Sequence, residues 1–242
     1  MNLYETQKIL NEYLLFHYGT HTELNPFDVI QESYLNFPQR TVLENIDCSK
    51  TFSRALDLGC SVGRSAFELS SFCEEVLGID YSKAFIQAAE KLRVDHSLKY
   101  EINVEAGKVL ETVARIPDAS RPENICFEVG DAMNLPNDIG RFDVIHAANL
   151  ICRLPEPVKL LKNLPELLND GGLLVITTPC TWLGEFTEPD NWPKESTLEW
   201  LKNNLSSKLL LKEVKDMPFV ILEHHRKYQF SIAQASVWAK ED

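Results

Sequence analysis

Asp57, Gly59, Gly63, Asp80 and Asp131 stand in an order and at spacings that suit a nucleoside ligand. The first three lie in Arg54-Ala-Leu-Asp-Leu-Gly-Cys-Ser-Val-Gly-Arg-Ser65, an apolar run, then a loop with Cys60, then a helical pattern. Glycine has no Cβ, so this loop can turn sharply and let a ligand approach its backbone. A dinucleotide-binding loop reads G-x-G-x-x-G, whereas position 61 here is Ser61. No lysine follows Gly63, so the loop is not a phosphate-gripping P-loop either. Asp80 falls about 20 residues past the first glycine, where one carboxylate accepts from both ribose hydroxyls of a nucleoside. An aspartate before a helix also serves as a plain N-cap; the glycines at the right distance favour the ribose. Tyr81 suits the adenine face. Asp131 and Ala132 follow a further apolar run and suit the adenine amine, although Gly130-Asp131 is also turn chemistry.

Alternating strands and helices must position these groups. Ala55–Leu58 reads as a first strand and Val76–Ile79 as a second, closed by Asp80 and followed by a helix over Ile86–Leu92. Ile125–Val129 is the third. Arg141–Ala148 is the fourth, with Asn149 at its end, where ligands bind in open α/β sheets. His146, inside that strand, reads as a satisfied core residue rather than a base. Pro155–Leu168 is a helix ended by Asn169-Asp-Gly-Gly172, and Leu173–Thr178 is an apolar, central fifth strand. A helix over Glu195–Leu205 precedes two last strands, Leu209–Val214 and Gln229–Trp238, the final one antiparallel.

Two segments lie outside that alternation. In residues 94–123, Tyr100, Ile102 and Val104 alternate, Ala106-Gly107 turns and Val109–Val113 returns, which predicts an inserted hairpin. It would be an arm between the copies of a homodimer or a surface flap. Residues 1–48 read as an N-terminal helical cap: Tyr4, Ile9, Leu10, Tyr13, Leu14 and His17 follow helical spacing, so Tyr4–Tyr18 is a helix ended near Gly19. It covers a sheet edge or, as Phe16-His-Tyr-Gly19 suggests, acts as a lid. Residues 49–242 then form one compact unit.

Composition narrows the function. With 36 acids against 24 bases the formal charge is −12, which argues against nucleic-acid partners. No apolar run is long enough to span a membrane, and the N-terminus does not read as a signal peptide. The six cysteines form no C-x-x-C pair, which suits a reducing, cytoplasmic compartment. The six histidines make no ligand pattern, so no metal is implied.

The ordered set Asp57-Leu-Gly-x-x-x-Gly63, Asp80, Gly130-Asp-Ala132, Phe142-Asp143 and Gly171-Gly172 resembles class I S-adenosylmethionine (SAM) methyltransferases over residues 54–238. That implies an α/β, Rossmann-like, seven-stranded and mostly parallel sheet with helices on both faces, with SAM as cofactor and S-adenosylhomocysteine as product. More closely, the chain resembles the 4-mercaptohistidine (5-thiohistidine) N1-methyltransferases of ovothiol biosynthesis. The match is carried by Tyr13-Leu-x-Phe-His-Tyr-Gly19, Ala147-Ala-Asn-Leu-Ile-x-Arg-Leu154, Thr181-Trp-Leu-x-Glu-Phe-Thr187 and Arg226-Lys-Tyr-Gln229, besides the glycine loop. The resemblance implies methyl transfer to an imidazole nitrogen of a small amino acid. Many relatives carry an iron-dependent sulfoxide synthase half ahead of this one; here a separate synthase and lyase would supply the substrate. The amino-acid carboxylate calls for Arg153 or Arg226, and Glu185 suits the ammonium or an imidazole N–H. Trp182 would wall the pocket, Asn149 would touch both ligands, and Tyr18, His17 and Gln229 join the site by resemblance.

Overall fold

The computed structural model describes residues 3–241. Its strands are β1 (Phe52–Leu58), β2 (Cys73–Asp80), β3 (Ser97–Glu105), β4 (Lys108–Arg115), β5 (Ile125–Val129), β6 (Phe142–Ala148), β7 (Leu168–Thr178), β8 (Leu210–His224) and β9 (Lys227–Ala239). The α-helices are α1 (Gln7–Tyr18), α2 (His21–Leu24), α3 (Phe37–Leu43), α4 (Arg64–Ser70), α5 (Lys83–Asp95), α6 (Pro157–Leu167) and α7 (Thr197–Leu205). Seven strands form one sheet in the order β5-β2-β1-β6-β7-β9-β8. Pairing is parallel from β5 through β7 and antiparallel at β7–β9 and β8–β9, as expected. The central strands read as apolar because both their faces are covered. On one face α1 and α4 bury Leu14, Leu15, Phe67 and Leu69; on the other α6 and α7 bury Leu160, Leu164 and Leu201. Each such side chain contributes about 1.5–3 kcal/mol when fully buried.

The inserted hairpin is present as β3 and β4, paired antiparallel outside the main sheet. Ala106 and Gly107 both have positive φ, 45° and 78°, the sense that matches strand twist in a tight hairpin. Its tip leaves Val109 and Leu110 exposed.

Two expectations change. The turn expected at 169–172 lies within β7: Phe142 pairs with Leu168 and Val144 with Leu173, so the intervening residues bulge out of register. Lys240 closes the bulge through its backbone, accepting from Gly171 N and donating to Gly172 O, each at 2.9 Å. β8 runs far beyond Val214, through Pro218 to His224. Proline lacks a ladder donor, but β8 is an edge strand, where that costs little. The long β8–β9 hairpin lays Met217, Phe219 and Ala233 against Phe37 of the cap.

Candidate functional site

The C-terminal ends of β1, β2, β5, β6 and β7 meet at one rim of the sheet. At β1, Gly59 (φ 71°) and Gly63 (φ 87°) take left-handed conformations that admit glycine at little cost. Space excludes larger residues too: a Cβ at Gly63 would lie 2.7 Å from the Phe127 ring, and one at Gly59 3.0 Å from Leu150. Asp57 turns inward and is 1% exposed. Its Oδ1 lies 2.7 Å from His146 Nδ1, and His146 Nε2 lies 2.9 Å from Thr41 Oγ1 on α3. His146 is therefore the satisfied core residue anticipated, and Asp57 ties cap to sheet rather than facing the rim. Cys60 is likewise buried, its sulfur near Gly78, and burial pushes its thiol well above the usual range.

Asp80 ends β2 facing that loop. One carboxylate oxygen accepts from Ser61 N at 2.9 Å and the other from Ser82 N at 2.8 Å. Burial outweighs these bonds and pushes its pKa up to about 6. Tyr81 next to it stands 71% exposed. Gly130 N donates to Asp80 O, which brings the end of β5 alongside. There Asp131 Oδ1 accepts from Met133 N at 2.9 Å, so the Gly-Asp turn forms and still keeps Asp131 at the rim beside Ala132. Asn149 ends β6 with φ 53°; its amide N–H donates to Thr177 O, and its Oδ1 accepts from Thr177 Oγ1 at 3.2 Å. Ser61 Oγ is buried in the loop with no partner among the described residues.

Beyond β6, Arg153 donates through Nη1 to Thr181 O at 2.9 Å and Cys152 O at 3.1 Å. Its guanidinium carbon sits 4.9 Å from the Phe186 ring centre. Phe186 lies 6.2 Å from Tyr4, and Tyr13 lies 4.7 Å from Phe85. Sequence reading placed Tyr4 and Tyr13 on the cap helix and Phe186 in the Thr181–Thr187 motif but assigned none of them, nor Phe85, to the site, because aromatic residues on a helix face are more often core.

Several sequence candidates sit elsewhere. Tyr18 is buried and its hydroxyl donates to Val62 O at 2.7 Å, so it anchors the glycine loop instead of facing substrate. His17 is buried beside Tyr13 and Phe16, and burial lowers its pKa to about 3. Trp182 donates to Thr197 Oγ1 and packs edge-on to Trp200, so it is half-buried against the α7 side of the core. Glu185 is exposed, while its neighbour Phe186 turns in towards Arg153. Arg226 lies over Phe27 at the β8–β9 turn, and Gln229 is exposed opposite Ile221. The cap does cover the rim, but with the Tyr4 end: Ser82 Oγ donates to Tyr4 O, and Glu5 accepts from Lys83 N and Ala84 N. A groove of about 430 Å³ lined by Arg54, Leu77 and Ile139 lies at the opposite, N-terminal ends of the strands and is not this site.

The family model described as "Methyltransferase domain" matches residues 30–229. The chain belongs to that family, the SAM-dependent methyltransferases. Its fold is the Rossmann-like methyltransferase fold. The N-methyltransferase NodS of Bradyrhizobium japonicum WM9, solved with S-adenosyl-L-homocysteine, aligns with 98% of this chain and 100% of its own at 16% identity and a TM-score of 0.57. Among curated proteins, a chloroplastic tocopherol O-methyltransferase of Arabidopsis thaliana is 26% identical over 54% of this chain and 31% of its own length. A ubiquinone biosynthesis O-methyltransferase of Coxiella burnetii is 23% identical over 64% of this chain and 55% of its own. The matched stretch is thus under two thirds of either curated relative. Among the described residues no helix is long and apolar enough to cross a membrane.

The residues of this methyltransferase fit its SAM cofactor. The loop offers no cradle for phosphate, which SAM lacks. Asp80 presents a carboxylate beside the glycine loop, where a ribose could reach it, and the buried Ser61 hydroxyl has no partner among the described residues. Asp80→Ala is expected to weaken SAM binding by an order of magnitude or more, since hydrogen bonds to a charged acceptor contribute roughly 1.5–3 kcal/mol. Calorimetry that finds the affinity unchanged in the folded variant removes Asp80 from the site. The wild-type pH dependence follows from the same group. The folded chain holds this proton above the ordinary value of 3.8, up to about 6. Asp80 therefore contributes stability below 3.8 that is lost as pH rises to about 6. Binding runs the other way, because the ribose needs the carboxylate: SAM affinity should fall as pH drops through about 6.

Proposed function

We propose that this methyltransferase moves the SAM methyl group to an imidazole nitrogen of 5-thiohistidine, giving ovothiol A and S-adenosylhomocysteine. The observation that carries the substrate class is Arg153. It is half-buried at the rim, backed by Phe186, and none of the ion pairs among the described residues includes it. A guanidinium held against an aromatic ring without an acid partner suits an arriving carboxylate. The Tyr4–Glu5 segment of the cap, bound to Ser82, Lys83 and Ala84 beside the rim, suits a small substrate better than a polymer. The resemblance of the motifs at both chain ends to those of thiohistidine methyltransferases supports the sulfur-bearing imidazole.

SAM supplies a methyl on a sulfonium, already electrophilic without a metal. The chain must orient the acceptor, which can lower the barrier by ~7–11 kcal/mol. Arg153 binds the carboxylate, and Asn149 lies between the cofactor rim and the acceptor. Together they aim the nitrogen and hold the ring sulfur, the softer nucleophile, off line. On this reading a separate synthase and lyase supply the substrate in a cytoplasmic compartment.

The curated relatives are named as O-methyltransferases, which keeps a second small-molecule reading open: transfer to a hydroxyl. Incubation with SAM and 5-thiohistidine, histidine, ergothioneine or a catechol, followed by mass spectrometry, separates the two. Turnover of 5-thiohistidine well above histidine is expected. Equal rates for those two, or turnover of the catechol alone, overturns the reading.

A further inference from the structure

β7 is apolar over residues 173–176 and then carries Thr177, 0% exposed, whose partners on the adjoining strands are Ala148 and Ala235. Valine would fill that place equally well, and a buried hydroxyl costs free energy unless it is bonded. The Thr177 hydroxyl donates to Asn149 Oδ1 at 3.2 Å, and Thr177 O accepts from Asn149 N at 2.8 Å. One threonine thus holds the residue after β6 by both its backbone and its side chain. Asn149 takes φ 53°, which asparagine tolerates better than most residues, so the turn alone explains an asparagine there. The turn does not explain the fixed carboxamide. With Oδ1 turned to Thr177, Nδ2 points the other way. Asn149 is half-buried, and its Nδ2 has no hydrogen-bond partner among the described residues. Two contacts place this amide. Its neighbour Leu150 lies against Gly59 of the cofactor loop, where an added Cβ would come within 3.0 Å, and Leu150 O accepts from Arg153 N at 2.8 Å.

Resting on the reading that the substrate is 5-thiohistidine, we propose that Asn149 selects nitrogen over sulfur by donating from Nδ2 to the ring thiolate, and that Thr177 is the positioning residue that turns the amide for it. An N–H donated to an anion is a charge-assisted hydrogen bond, and it occupies a sulfur lone pair that would otherwise attack. A flipped amide would present Oδ1, which repels a thiolate and leaves it free to swing into line. In the transfer, the imidazole lone pair forms the new N–C bond. The pair of the broken C–S bond stays on the sulfonium sulfur, which becomes the thioether of S-adenosylhomocysteine. The ring sulfur stays unalkylated and its thiolate charge balances the imidazolium, so no proton has to leave. Thr177 touches neither reactant and acts through Asn149 alone.

Thr177→Val tests this, because it keeps the volume and removes the hydroxyl. Wild type, Thr177→Val, Thr177→Ser and Asn149→Asp would each be incubated with 13C-methyl SAM and 5-thiohistidine, and NMR would count methyl on nitrogen and on sulfur. Calorimetry with S-adenosylhomocysteine checks the cofactor site. In Thr177→Val the ratio of nitrogen- to sulfur-methylated product should fall about tenfold, as the loss of one oriented charge-assisted hydrogen bond implies. Its affinity for S-adenosylhomocysteine should match the wild type. Thr177→Ser keeps the donor and should keep the wild-type ratio, whereas a role in packing alone would be disturbed by serine and spared by valine. Asn149→Asp keeps the left-handed turn and the acceptor for Thr177 but has no donor. It should raise the sulfur-methylated share, and it carries the test if Thr177→Val does not fold. An unchanged ratio in either variant, or lost turnover with no sulfur-methylated product, overturns the proposal alone. So does a shift in Thr177→Ser as large as in Thr177→Val. A wild type that puts no methyl on a nitrogen of 5-thiohistidine overturns the substrate reading and this assignment with it.

Discussion

Arg153→Met should lower kcat/KM for 5-thiohistidine by about two orders of magnitude, the effect of losing roughly two charge-assisted hydrogen bonds. Methionine keeps length and apolar bulk beside Phe186 but cannot hold a carboxylate. The loss should fall largely on KM, because the carboxylate is bound alike before and during transfer. SAM affinity, set on the β1 and β2 side of the rim, should stay close to wild type. Arg153→Lys should recover only part of the loss: a lysine point charge cannot hold Thr181 O and Cys152 O while presenting further donors. Steady-state kinetics with both substrates varied, plus calorimetry with SAM, checks the split. A variant whose KM is unchanged would remove Arg153 from substrate binding.

His146→Ala should be the most damaging single change to the fold. His146 is 0% exposed and joins Asp57 on β1 to Thr41 on α3. Its removal strands the Asp57 carboxylate, 1% exposed and with Oδ2 already without a partner among the described residues, in the core. Breaking a buried pair in this way costs about 3–5 kcal/mol. In a chain of this size that is roughly a 10 °C fall in Tm. The cap should loosen first, since α3 loses its buried polar tie to the central strands and keeps, among the described residues, only the Arg40 bond to Pro218 O on the edge strand β8. Differential scanning calorimetry measures the fall, and cap protection in hydrogen exchange measures the loosening. A variant that melts within about 2 °C of wild type, less than 1 kcal/mol on the same scale, would show that the His146 link contributes little to holding cap and sheet together.

The sheet and its cofactor rim were legible because short-range rules govern them. Gly59 and Gly63 mark positive φ, Asp80 and Asp131 close apolar runs, and those runs are the parallel strands. The edges were less legible. Pro218 looks like a break until β8 is known to be an outer strand, and Gly171-Gly172 look like a turn until Lys240 closes the bulge. The substrate side was read least well, since long-range packing decides which way each side chain points. Trp182 and Phe186 share one loop, yet one packs on α7 and the other on Arg153. Tyr18 carries the resemblance at the cap but is drawn to Val62 O, while Tyr4, at the far end of the same segment, reaches the rim. Helical spacing says which residues share a face, not which end of that face meets a ligand.

The methyl position in the product tests the central claim most directly. The protein, SAM carrying a 13C-methyl group and 5-thiohistidine would be incubated together and the product examined by heteronuclear NMR. The account predicts one labelled methyl, bonded to an imidazole nitrogen and coupled to ring atoms next to it, with the sulfur left as a free thiol. A labelled methyl on sulfur, or no label transferred to 5-thiohistidine at all, would contradict it.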